Sequence, residues 1–519
     1  MEEALEKIRP HTSSNLPHQK TPANLLIALE STFNEQNTEP TPTAYFAALL
    51  TTLDRTVQKG DVSLEDGAVL PAELYLLALV APFVASAVIC SNLSTLLSLT
   101  APLFPSLNTH APALRSQLSL YHVIFNSLDR SQLEVQGVRQ TFASILQHSI
   151  DPRPKVRKKA TEVIKDLLAH PPTPLMRHPY AERVADWIVT TLTETSSGPF
   201  SKAKGSKNMP NSGAEIGIHV LAFLRPIVLY LPSEVSPVTF FHFDFVNVRF
   251  QSLPAITNTL LTLPRLGNTY LSQSSYSVMS DIFSACLEDV SSNIGAQLSD
   301  VLKVVLSSPP ARSDLTLSAS WVQVLGSALV AHNSLDPNAA STEVGKVWKS
   351  VWNFLDSPDA NTRKAAAQSL SSISSCFNPA LISVSIADME GCSTIRKIIS
   401  QVSKALHSLS YARSIPEVLS VISSLITHLD YRTSKTSPTA AELLLMPLIV
   451  SIAELRTTKS FENKEAADAT LSVAMRILGP AVLLDALPLN LEPSSRYVLL
   501  LDASFSKITT YIDLIKRIR

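Results

Sequence analysis

Along most of the chain, apolar residues return every three or four positions, the spacing that gives a helix one buried stripe. In TAYFAALLTTLDRTV, Tyr45, Ala48, Leu49 and Leu53 fall near one face, and in NTRKAAAQSLSSISSCF so do Ala366, Leu370 and Ile373. Segments of this kind recur from about residue 20 to 480. The breaks between them are rich in Pro, Ser, Asn and Asp: NEQNTEPTPT, SSPPARSD, NSLDPNAAS and YRTSKTSPT. Such residues stop a helix or favour a turn. The pattern predicts an all-α chain of many helices. One stretch departs from it. VTFFHFDFVNVRF (Val238–Phe250) alternates like a strand, yet nothing nearby offers a partner strand, and the Phe240–Phe250 part has no helical reading.

Internal similarity says how the helices are arranged. Setting DPRPKVRKKATEVI beside SPDANTRKAAAQSL without a gap aligns Pro152 with Pro358, Arg157 with Arg363, Lys158 with Lys364, Ala160 with Ala366 and Ile164 with Leu370. VRQTFASIL (Val138–Leu146) repeats the Val-Arg offset. A turn, then Val or Thr followed by Arg, then a small residue three positions on marks HEAT-type helices, whose repeats run ~40–47 residues. The expectation is an α-solenoid of HEAT/armadillo-like helical hairpins with a degenerate period. Its expected divisions are a flexible start (1–20), a first set of repeats (21–193), a flexible basic loop (194–213), continuing repeats (214–493) and an atypical C-terminal helix or tail (494–519).

Composition is consistent with this. The chain has 519 residues, 45% apolar and 17% charged, so it can bury a large core. Glycine is scarce (13) and proline common (34), which argues against hairpin-rich β structure. Net charge is −1, so any polyanion-binding surface has to be local. The cysteines (Cys90, Cys286, Cys376, Cys392) include no Cys-x-x-Cys pair and read as reduced, buried thiols. No secretory signal is evident in MEEALEKIRPHTSS. From Leu74 to Leu114 there is no Asp, Glu, Lys or Arg. Pro82 interrupts the most apolar part and no basic residue flanks it, so a pair of buried core helices is expected, not a membrane span.

Candidate chemistry is sparse. There is no phosphate-binding G-x-x-x-x-G-K-[ST], no G-x-G-x-x-G and no G-x-S-x-G. No histidine forms H-E-x-x-H or pairs with a cysteine at zinc spacing. His242 and Asp244 would share a strand face, but a structural pairing outweighs a catalytic one. The expectation is a non-catalytic scaffold or binding protein with no cofactor, metal or small-molecule substrate.

Three stretches carry a family resemblance: DPRPKVRKKATEVIKDLLAHPPTPLMRHP, LLTLPRLGNTYLSQSSYSVMSDIFSA (Leu260–Ala285) and ELRTTKSFENKEAADATLSVAMRILGPAVLLDALPLNLE (Glu454–Glu492). Together they resemble the ribosomal RNA-processing protein 12 family of HEAT/armadillo-repeat ribosome-biogenesis factors, over roughly residues 20 to 493. The resemblance implies a non-enzymatic nuclear and nucleolar protein, shuttling to the cytoplasm. It implies pre-ribosomal particle proteins and pre-rRNA as partners, and support for pre-rRNA processing and for small-subunit precursor maturation and export. Family members are longer, so the resemblance reaches their N-terminal half. SSRYVLLLDASFSKITTYIDLIKRIR, at the end, stands outside it. The alternative reading is an adaptor resembling a nuclear transport receptor and binding a protein partner.

One helix holds the only sizeable positive cluster outside the tail. On a helical wheel, Val156, Ala160, Val163, Ile164 and Leu167 form a buried stripe, with Leu168 at its margin. Arg157 falls on the seam, its guanidinium expected to reach a neighbouring repeat. Lys155, Lys158 and Lys165 point outward with Lys159 at the border. Glu162 and Asp166 share that face, with Lys158–Glu162 and Glu162–Lys165 as expected pairs. Asp151–Lys207 carries eleven basic and six acidic residues, +5 against −6 for the rest. Lys155, Lys158, Lys159, Lys165, Lys202, Lys204 and Lys207 read as an RNA-facing surface or a solvated solenoid face. A nuclear import signal is disfavoured because KVRKK sits inside a predicted helix whose apolar side must stay packed.

Overall fold

The computed structural model describes residues 1–60, 63–197, 213–232, 252–285, 295–388, 390–434 and 437–487, and all regular elements among them are helical. The Val238–Phe250 segment, with His242 and Asp244, lies outside them, as do Cys286, Lys202, Lys204, Lys207 and the stretch 494–519. The chain divides into two compact units, Met1–Thr259 and Leu260–Arg519.

The longer helices of the first unit are α1 (Pro17–Glu35), α2 (Pro42–Gln58), α3 (Val69–Val80), α4 (Ala111–Ser127), α5 (Gln136–His148), α6 (Pro154–Ala169), α7 (Ala181–Ser197) and α8 (Gly213–Leu224). Proline opens α1, α2 and α6, where its missing N–H costs nothing. Helices α1, α3, α4 and α6 pack side by side as one layer, while α2 leans on α3 and α5 on α6. Between α4 and α5 the core is aromatic: Phe125, Phe142 and Tyr180 meet edge-on or tilted. Tyr180 donates its hydroxyl proton to the Leu133 carbonyl.

Three expectations change here. The first residues form a helix (Glu2–Glu6) and a 3₁₀ turn (Arg9–Ser13) instead of a flexible start. Leu5 and Ile8 are buried, and Arg9 binds Glu30 at 2.8 Å and Glu2 at 2.6 Å. Residues 194–197 belong to α7 and Gly213 to α8, so both ends of the expected 194–213 loop are helical, and 198–212 lie outside the described residues. The charge-free run folds as the end of α3, three short helices (Ser86–Ser91, Leu93–Thr100, Phe104–Leu107) and the start of α4, not as two helices. Pro82, Pro102 and Pro105 break it. Leu74, Leu77 and Leu96 are buried, but Phe83 is half exposed. By length and composition alone, Gly213–Tyr230 and Leu315–Leu335 could each cross a membrane.

The second unit contains α9 (Thr269–Ala285), α10 (Gly295–Leu306), α11 (Leu315–Leu335), α12 (Pro337–Trp352), α13 (Ala360–Ser374), α14 (Thr394–Leu406), α15 (Ile415–His428), α16 (Ala440–Thr457) and α17 (Lys464–Leu478). Helices α9, α11, α13, α15 and α17 stack in one layer, and α10, α12, α14 and α16 in the other. Successive two-layer hairpins are the α-solenoid arrangement of HEAT repeats. Helix α11 is apolar round most of its circumference because it packs against α9, α10, α12 and α13: Trp321, Val322, Leu325 and Leu329 are all buried.

The α11–α13–α15–α17 layer is joined by small and hydroxyl side chains. A Cβ on Gly326 would lie 3.0 Å from Ser369 Cβ. Ser369 Oγ donates to the Val322 carbonyl at 2.8 Å, and Ser424 Oγ to that of Ser371 at 3.0 Å. Ser423 donates to Thr470 at 3.1 Å. Arg456 Nε, in the third family-like stretch, ties α16 to Asp468 of α17 at 2.7 Å. Of the described cysteines, burial pushes the Cys376 thiol up to about 12, Cys90 is half-buried, and Cys392 is exposed, unlike the buried thiols expected.

Candidate functional site

Helix α6 follows its wheel. Val156, Ala160, Val163, Ile164, Leu167 and Leu168 are buried, Lys155, Lys158 and Lys165 exposed, and Lys159 half-buried. Arg157 makes no hydrogen bond or ion pair to a neighbouring repeat among the described residues. Its Nη1 turns back to the carbonyls of Asp151 (2.6 Å) and Pro152 (3.3 Å) in the turn that precedes its own helix. Arg363 does the same, Nη1 reaching the carbonyls of Ser357 (3.0 Å) and Pro358 (3.1 Å). Turn carbonyls have no helical donor, and an arginine in the first helical turn is near enough to supply one. The internal alignment therefore marks a repeated bonding device.

The acidic residues of this region are occupied. Asp151 is bound by the Arg153 backbone N–H and by its guanidinium at 2.7–2.8 Å, with His148 at 3.6 Å. Burial disfavours the Asp151 carboxylate, but the Arg153 bonds outweigh it and hold the group below the usual carboxylate range. Burial holds His148 below its ordinary value despite Asp151. Asp166 faces α4, where His122 Nε2 lies 2.6 Å and Asn126 Nδ2 3.1 Å from Oδ2. It too is held down, by those bonds working against burial. Only Glu162 remains among the lysines, 3.9 Å from Lys158 with both side chains largely exposed. The expected Glu162–Lys165 pair does not form among the described residues.

With Asp166 withdrawn, the lysines divide. Lys155, Lys158 and Lys159 line a groove of about 1150 Å³ within the first unit, while Lys165 lies outside it. The groove runs across the N-terminal parts of α1, α4 and α6, along the length of α3 and past the first short helices. Its floor is aliphatic, from Ile8, Pro22, Pro71, Ala72, Ala78 and Leu79, with Tyr75 beside them. Its charges differ along its length. At the α1–α3 end Lys7 lies 2.8 Å from Glu3 and the His18 ring 3.4 Å from Asp66, and Glu65 adds a second carboxylate to the lining. At the α4–α6 end, the side chains of Arg115, Lys155 and Lys159 have no hydrogen bond or ion pair among the described residues, and Arg115 Nε is buried. Arg115, Lys7 and Tyr75 were absent from the sequence reading. The available signal was Arg115 itself, the first charge after the uncharged run Leu74–Leu114. Among the described residues, no group of three His, Cys, Asp or Glu side chains gathers as a metal site would require.

This is a helical-repeat protein whose first unit carries a partly charged groove. Comparison with known proteins places it further. Residues 8–263 match the family described as RRP12-like, N-terminal HEAT repeats, and residues 356–499 match Ribosomal RNA-processing protein 12, HEAT repeats. The chain belongs to the ribosomal RNA-processing protein 12 family. It is 23% identical over 516 residues to Ribosomal RNA-processing protein 12 of Saccharomyces cerevisiae, covering 95% of this chain and 40% of the yeast protein. It is 22% identical over 502 residues to the RRP12-like protein of Homo sapiens, covering 94% and 35%. The chain thus spans well under half the length of these relatives. Among solved structures it is similar to importin beta (TM-score 0.43, 10% identity, covering 92% of this chain and 58% of that one) and to Kap121p bound to Ste12p (TM-score 0.46, 13%, 95% and 47%). Both likenesses are too distant to bear on function.

Proposed function

We propose that this chain is a non-catalytic HEAT-repeat scaffold of ribosome biogenesis. It acts in the nucleus and nucleolus, shuttling to the cytoplasm, and supports pre-rRNA processing and maturation and export of the small-subunit precursor. The family match on both units carries the reading. Its partners are pre-ribosomal particle proteins and pre-rRNA, with no membrane or small-molecule substrate. The RNA-facing surface is the Asp151–Lys207 region. There Lys158 and Lys165 stand exposed beside a carboxylate, Asp166, that is already bound elsewhere. Lys202, Lys204 and Lys207 add charge in the same stretch, and Lys155 and Lys159 raise the local potential from the groove. Lysines of this kind neutralise phosphates without reading sequence.

Affinity purification of the tagged chain with RNA sequencing and mass spectrometry tests the reading. Ribosomal RNA precursors and small-subunit precursor proteins should be enriched, and recovery of neither overturns it. In vitro, Lys158→Glu with Lys165→Glu should weaken RNA binding evenly across sequences and flatten its salt dependence. An unchanged salt slope removes these two lysines from the interface.

A further inference from the structure

The groove of the first unit has features that an RNA-facing surface does not require. A phosphate backbone has no use for an aliphatic floor of Ile8, Pro22, Pro71, Ala78 and Leu79. It is also uniformly negative, whereas Glu65, Asp66 and Glu162 line the same groove. Stacking platforms for single-stranded nucleic acid use several aromatic rings, and among the described residues Tyr75 is the only Phe, Tyr or Trp lining this groove. A volume of about 1150 Å³ exceeds the ~300–1,000 Å³ of small-molecule pockets, and the lining comes from four packed helices, so the space suits a length of chain.

The charges narrow the choice. Three cations whose side chains have no hydrogen bond or ion pair among the described residues, Arg115, Lys155 and Lys159, line the α4–α6 end. The first turns of α4 and α6 are at the same end and bring positive dipole ends toward it. At the α1–α3 end the lysine is already paired, Lys7 with Glu3, and Glu65 and Asp66 make that end acidic, so it has no cation to offer a carboxylate. An occupant that satisfies both ends has carboxylates in one part and apolar side chains in the rest.

We infer that this groove is a docking site for an extended acidic-apolar peptide segment of a partner protein. Its Asp and Glu side chains meet Arg115, Lys155 and Lys159, and its aliphatic side chains lie on the Ile8–Pro71–Leu79 floor against Tyr75. Lys165 lies outside the groove while Lys158 borders both, so protein docking and RNA contact use adjoining surfaces of one unit that share Lys158.

The test is fluorescence anisotropy on the full chain with a labelled probe peptide, acetyl-EEDLLDEDLLEE-amide. The controls are its lysine counterpart KKKLLKKKLLKK and an oligouridylate of equal length. Saturable binding of the acidic peptide is expected, and the lysine peptide should not bind. Lys155→Glu with Lys159→Glu should weaken acidic-peptide binding by about tenfold, and Tyr75→Ser should weaken it by less. Lys346→Glu with Lys349→Glu, in the second unit, should leave it unchanged. Circular dichroism checks the fold of each variant. The exposed Lys155 and half-buried Lys159 keep the test open if an Arg115→Glu variant does not fold. The inference is overturned if the acidic peptide does not bind, if the lysine peptide binds equally, or if Lys155→Glu with Lys159→Glu has no effect. It is also overturned if oligouridylate displaces the peptide and loses affinity in that same variant. That last result would make RNA the occupant and leave the ribosome-biogenesis reading standing.

Discussion

The turns at Asp151–Arg157 and Ser357–Arg363 share one bonding device in different surroundings. In both, an arginine of the first helical turn reaches back to two carbonyls of the preceding turn. Around Arg157 the turn is held by Arg153 and Asp151, and the helix that follows shows one charged side to a groove. Around Arg363 the helix is closed in. Arg363 Nε lies 3.4 Å from Glu417, and both side chains are almost buried. That contact is an ion pair whose geometry makes no hydrogen bond, since Arg363 Nε and Glu417 Oε2 both lack a hydrogen-bond partner. Helix α13 then turns Ala365, Ala366, Ala367 and Ser369 into its neighbours. The same turn therefore starts a helix used as a surface in one unit and as an internal strut in the other.

Removing the arginines should separate the two cases most strongly. Arg363→Ala leaves Glu417 buried without its cation and should cost about 3–5 kcal/mol. Arg157→Ala loses only bonds to carbonyls and should cost about 1–2 kcal/mol. Calorimetry on both variants checks this, and equal losses would end the distinction. Next in size is close packing. Gly326→Val forces a methyl group against the Ser369 backbone and should cost about 2 kcal/mol. Gly137→Ala in the first unit meets only the flexible end of Leu97 at 3.4 Å and should stay within about 0.5 kcal/mol. Urea melts of the two variants read the difference.

The smallest expected effect is on acid stability. Burial lowers His178 from 6.5 to about 4, and also lowers His148 beside Asp151 and His219 near Arg157. The fold favours the neutral imidazole, so this stability is complete above 6.5 and declines as pH falls toward 4. At pH 5.5, His178 alone should account for about 1 kcal/mol of lost stability. His178→Gln retains an acceptor for the Tyr180 N–H and should show a shallower decline between pH 7 and 5 in thermal melts. An unchanged slope would remove His178 as a cause.

Periodicity revealed the helices, their buried faces and the solenoid class, because the 3.6-residue repeat is a local property that each segment carries in itself. Val156 through Leu168 needed nothing else. Arg157 was misread because a wheel gives direction but not depth. It placed the side chain on the seam and could not show it folding back onto carbonyls six and five residues earlier. The groove was illegible for a different reason. Lys7, Tyr75, Arg115 and Lys155 are far apart in sequence, and they meet only because α1, α3, α4 and α6 pack in one layer. Lys158 and Asp166 looked like neighbours on one face, yet Asp166 is claimed by His122 on another helix.

The hydroxyl seam of the second unit also has a mechanical consequence. Apolar ridges can slide past one another by a helical turn and repack. Bonds from Ser369 to Val322, Ser424 to Ser371 and Ser423 to Thr470 cannot, because each names one acceptor on the next helix. They act as a ratchet that fixes the register between successive repeats. Pulling lengthwise on this unit should therefore meet stiff resistance to shear along α11, α13, α15 and α17, and yield first by whole repeats peeling away.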